Sequence, residues 1–133
     1  MTPEADEVGE WLRKGRNDLL SAQVLLEHDP PITDTAAFHC QQAVEKALKA
    51  YLIWKNVPFE KVHSLGYLMD LCEQQDKSFA AFRDRVEALA PFAVGIRYPG
   101  ELMDVPPDEA KELLATTEAV WELVIRLLPQ DLN

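Results

Sequence analysis

Apolar and small residues return at steps of three and four along most of this chain, and no stretch alternates in the two-residue rhythm of a strand. Side chains at that spacing share one face of an α-helix, and such a face must be covered by another element. From about Asp6 to His28 the stripe is Val8, Trp11, Leu12, Gly15, Leu19, Ala22 and Leu26. The turn Asp29-Pro30-Pro31 stops it, and Thr33 or Asp34 is placed to cap a second helix that runs to about Asn56. Leu65, Leu68, Met69 and Cys72 mark a shorter third helix after His63-Ser64, ending near Gln75. Ser78 is a candidate cap for a fourth, which buries Phe79, Phe82, Val86 and Leu89 before Pro91 disturbs its hydrogen-bond ladder. Gly95 to Val105 reads as a loop, because Pro99 pushes Tyr98 away from helical geometry. The clearest stripe comes last: Ala110, Leu113, Leu114, Thr117, Val120, Trp121, Val124 and Leu127.

Helices joined by short connections become antiparallel neighbours. The expected architecture is therefore all-α: an up-and-down antiparallel bundle of four principal helices with one additional short helix. With 133 residues there is room for one hydrophobic core, so residues 1–133 are read as a single domain. A formal net charge of -10 argues against broad, sequence-independent binding of nucleic acid, which depends on neutralising phosphates with Lys and Arg. No run approaches the length of a membrane span and the N-terminus lacks the features of a signal peptide, so the expected compartment is the cytoplasm. Cys40 and Cys72 form neither a metal motif nor a CxxC pair and are read as reduced core thiols.

The second helix divides into unequal faces. Cys40, Ala43, Val44, Ala47, Leu48, Ala50, Tyr51 and Trp54 form a wide apolar sector, while His39, Gln42, Glu45, Lys46 and Lys49 gather opposite. Those polar types suit a nucleotide: Lys as a point charge for phosphate, Gln for a base edge or sugar hydroxyl, His as donor, acceptor or proton carrier. The same stripe equally fits a solvated surface stabilised by pairs such as Glu45 with Lys49. His39 also fits a hydrogen bond inside the bundle, and His63 a loop or cap. No spacing of His, Cys, Asp and Glu suggests a metal, and none is expected. His63-Ser64 lacks the acid and oxyanion site of a hydrolase triad. There is no glycine-rich phosphate loop, and no cofactor is expected.

Four segments taken together, WLRKGRNDLLSAQVLL, AFHCQQAVEKALKAYL, VHSLGYLMDL and RYPG, resemble the HEPN domain family over nearly the whole chain. The resemblance implies a helical bundle, often a homodimer, tied to nucleotide or RNA chemistry, commonly paired with a minimal nucleotidyltransferase in a toxin-antitoxin setting. Its polar positions fall here on Asp18, His39, Gln42, Glu45, Lys46, Lys49, His63, Arg97 and Tyr98, the candidate nucleotide-binding residues. Ribonuclease members carry an Arg followed four to six residues later by a His near the last helix. Here Arg97 is followed by Tyr98, Pro99, Gly100, Glu101, Leu102, Met103 and Asp104, and no His occurs after His63. The imidazole that would move a proton to or from the ribose hydroxyl is missing from its place. The expectation is thus a noncatalytic member that binds a nucleotide, partners a minimal nucleotidyltransferase, or does both. The alternatives are a ribonuclease toxin with an atypical site, using Arg97 with His39 or His63, and a structural dimeric adaptor whose aromatics, Trp54 or Tyr98, mediate dimerisation.

Overall fold

The computed structural model describes residues 2–94 and 104–132, and within them the ordered elements are all helical. Helix α1 spans Pro3–Glu27 and starts ahead of its apolar stripe. Thr2 explains the early start: its hydroxyl accepts the Ala5 N–H at 3.1 Å, and Pro3 occupies a position where its missing N–H costs nothing. Helix α2 spans Thr33–Trp54. Neither expected cap serves it, since Thr33 and Asp34 lie inside the first turn and the capping position falls to Ile32, which makes no side-chain bond. Asp34 instead accepts from the Thr35 N–H. Two residues short of the expected end, α2 closes with Asn56 at φ 57°, a left-handed conformation that Asn tolerates. There the Asn56 N–H reaches the Ile53 carbonyl at 3.0 Å and the Val57 N–H reaches Leu52 at 2.9 Å, which satisfies two carbonyls of the last turn.

Helix α3, Leu65–Gln75, is capped by Ser64, whose hydroxyl accepts the Tyr67 N–H at 3.2 Å. The expected fourth helix is broken up. Asp76, not Ser78, caps the segment by accepting the Ser78 N–H; a 3-10 turn runs over Lys77–Phe82, α4 covers only Arg83–Glu87, and a second 3-10 turn at Ala90–Phe92 contains Pro91. The shortest helix is therefore α4 and not α3. Helix α5, Pro107–Leu127, again opens on a proline, with Asp108 and Glu109 in the first turn where the helix dipole favours negative charge.

Contacts fix the directions. Asp18 meets Lys46 and Trp11 meets Lys49, so α1 and α2 run antiparallel. Gln23 bonds Glu118 while Gly15 lies against Trp121, so α5 also opposes α1. Helix α2 is the central element: thirteen of its 22 residues are buried, which leaves little of its surface to water. Around it pack Val8 and Leu12 of α1, Leu68 and Met69 of α3, Phe79, Val86 and Leu89 of the fragmented segment, and Val120 and Val124 of α5. Trp54 is half-buried against this core. Cys40 and Cys72 are buried free thiols, as their apolar settings implied. Burial pushes the Cys40 thiol up to about 11 despite a bond from Thr117, and raises Cys72 further. No helix among the described residues is long and apolar enough to cross a membrane.

Candidate functional site

The polar face of α2 is organised as two charged clusters, each centred on one carboxylate. In the first, Asp18 enters from α1 with only 11% of its side chain exposed. Its two oxygens are divided: Oδ1 lies 2.8 Å from His39 Nδ1 and Oδ2 lies 2.5 Å from Lys46 Nζ. An ionised carboxylate can only accept, so Nδ1 carries the proton and Nε2 is left as the free ring nitrogen of His39. Lys46 and His39 retain 21% and 26% exposure, so both ligand-capable groups are held in place and still reach solvent.

The second cluster lies deeper. Glu45 is 3% exposed and receives Lys49 Nζ at 3.0 Å, His63 Nδ1 at 3.0 Å and Gln41 Nε2 at 3.2 Å. A buried carboxylate needs such partners, because desolvation without them would be very costly. The Lys49 ammonium also stands 5.4 Å from the centre of the Trp11 ring, a favourable cation–π placement. Gln42 donates to Gln41 at 2.6 Å and continues the chain of polar contacts along α2. The expectation of a solvated Glu45–Lys49 surface pair is corrected here: the pair exists, but α1 and the 57–63 connection cover it. His63 reaches it from outside, its own side chain 72% exposed.

Of the nine candidate residues, the structure brings Asp18, His39 and Lys46 into one group and Glu45, Lys49 and His63 into another, with Gln42 attached to the second through Gln41. Arg97 and Tyr98 lie outside the described residues. Sequence reasoning passed over Gln41, which is fully buried, although its position four residues before Glu45 is the spacing at which helical side chains meet. It also assigned Trp11 to the core face alone. Trp11, Lys49, Ile53, Phe59, Lys61 and His63 together border an open groove of about 530 Å³, whose rim includes Glu7. A second hollow of about 420 Å³ beside His39 is lined by Leu20, Val24 and Leu25 of α1 and Thr35 of α2. Among the described residues no group of three or more His, Cys, Asp and Glu is arranged to hold a metal ion.

The sequence model of the HEPN domain family matches residues 8–128. The chain belongs to the HEPN domain family. It is similar to a protein of Methanocaldococcus jannaschii named "Putative toxin MJ1304", with 28% identity over 130 residues, covering 86% of this chain and 83% of the relative. No solved structure matches the chain.

Proposed function

We propose that this HEPN protein binds a nucleotide at the polar face of α2 without itself cleaving RNA, and that it works beside a minimal nucleotidyltransferase in a toxin-antitoxin pair. The observation that carries the reading is the Asp18 cluster: an ammonium and an imidazole, fixed by one carboxylate and still open to solvent, suit a phosphate and its sugar. The absence of a His after Arg97 removes the family's cleavage motif. The name of the archaeal relative supports the toxin setting. Exposed Leu20 and Val24, 58% and 56% accessible on α1 beside His39, support self-association, which sedimentation at several concentrations tests. Titration of the purified protein with nucleoside mono- and triphosphates, repeated with Lys46→Ala, tests the binding claim. Saturable binding weakened by the substitution is expected, and no binding at millimolar ligand sinks it.

One observation favours a second reading, ribonuclease activity at an atypical site. The Asp18–His39 pair fixes the ring as a base would need, with Nε2 free to take a proton. Purified protein incubated with RNA, alongside His39→Ala and His63→Ala, decides between the two readings. Intact RNA rejects this one, and cleavage abolished by His39→Ala establishes it.

A further inference from the structure

The groove at the far end of α1 and α2 combines features that the Asp18 cluster lacks. Its wall is apolar and aromatic, formed by Trp11, Ile53, Val57, Pro58 and Phe59. Lys61 and His63 stand at its rim, both exposed, and at about 530 Å³ it has the size of small-ligand sites. The charges around it differ in what they can offer. Lys49 is already committed to the buried Glu45 and to the Trp11 ring, so its charge is largely spent. His63 is oriented by the same carboxylate through Nδ1, which leaves Nε2 as the nitrogen free for another partner. Lys61 is exposed and makes no ion pair among the described residues.

We infer that this groove is a second nucleotide subsite, apart from the Asp18 cluster, and that it takes a nucleoside monophosphate: the base against the Trp11–Phe59 wall, the single phosphate at Lys61 and His63. The assignment rests on the nucleotide-binding reading above and adds a second position to it. Aromatic side chains accept any base by its π-face, which gives affinity without sequence readout. The argument for one phosphate is electrostatic. Lys61 offers one positive charge outside any ion pair and His63 Nε2 a hydrogen-bonding nitrogen, whereas a triphosphate would carry further negative charge past Glu7 on a chain of net charge -10.

The test uses the full chain and calorimetric titration with AMP, adenosine, inorganic phosphate and ATP. AMP is expected to bind with saturation, with adenosine, phosphate alone and ATP each at least about tenfold weaker, a difference of about 1.4 kcal/mol. Lys61→Ala, an exposed position that leaves the fold intact, is expected to weaken AMP about tenfold, and Phe59→Ala to weaken AMP and adenosine alike. Circular dichroism of each variant checks that the bundle is retained. AMP binding that both variants keep overturns the groove assignment while the nucleotide-binding reading stands. No binding of any of the four probes at millimolar concentration overturns both, and ATP binding tighter than AMP overturns the monophosphate assignment.

Discussion

The ring of Trp121 occupies the space a side chain at position 15 would need: a Cβ built on Gly15 would lie 2.5 Å from Trp121 Cζ2 and 3.1 Å from Lys46 Cβ. The indole cannot retreat easily, because its N–H donates to the Ala43 carbonyl at 2.9 Å. Gly15→Ala should therefore destabilise the protein by about 2 kcal/mol through overpacking, although alanine is the better helix former by about 1 kcal/mol. Thermal denaturation followed by circular dichroism measures the difference, and an equal or higher midpoint would refute the close packing of α1, α2 and α5.

Glu45 and Lys49 should behave as a unit. Glu45→Ala strands the Lys49 ammonium, which has only 7% of its side chain exposed, and leaves Gln41 and His63 short of an acceptor. The expected cost is about 3 kcal/mol. Glu45→Leu with Lys49→Met should recover most of that loss, since it removes both charges together. A double-mutant cycle by urea denaturation reads the coupling, and additive losses would show that the pair is not buried as described.

The thiols set an alkaline limit. Cys40, with its pKa pushed up to about 11 by burial, stays protonated in the folded state where an unfolded thiol, near 9, has already ionised. Above pH 9 the unfolded state binds fewer protons than the native one, so stability is complete below that pH and falls between about pH 9 and 11. Tyr51, raised by burial to about 12, extends the decline in the same direction. Chemical denaturation at pH 8, 9.5 and 10.5 should show it. At pH 8 a thiol reagent should label neither cysteine until denaturant is added.

At the end of α2 the order of stability should be Asn56→Gly at least equal to the native chain, with Asn56→Ala lower by roughly 1 kcal/mol. The φ of 57° is left-handed, free for glycine, tolerated by Asn and strained for alanine. Melting temperatures of the three proteins give the ranking directly, and an alanine variant as stable as the native chain would rule out the left-handed turn.

The stripes of α1, α3 and α5 were legible because each helix buries one continuous face: Leu65, Leu68, Met69 and Cys72 are all buried as their spacing implied. The fragmentation after Gln75 was not. Four well-spaced apolar residues there satisfy the core from 3-10 turns and a short helix as well as they would from one long helix, so periodicity cannot tell these apart. The candidate site was half legible. Spacing on α2 found the charged residues, and family resemblance added Asp18, but a Glu and a Lys four apart look the same in a sequence whether water or an indole lies above them. What decides is Trp11 and the connection carrying His63, and neither is a neighbour of Glu45 along the chain. Thr116 and Leu123 of α5 were missed for a related reason: Arg85 bonds the former at 3.3 Å from an element whose position no local pattern reveals.

The centrality of α2 has a consequence for how this protein can be studied and how it can change. The helix that buries more residues than any other element also carries both charged clusters, so it has almost no residue that serves recognition alone. A molecule seated on its polar face would brace the element around which the rest of the bundle is assembled. Occupancy should thus register as resistance to heating, rising with the logarithm of ligand concentration above the dissociation constant. A melting-curve screen of small metabolites is then a direct search for the physiological ligand.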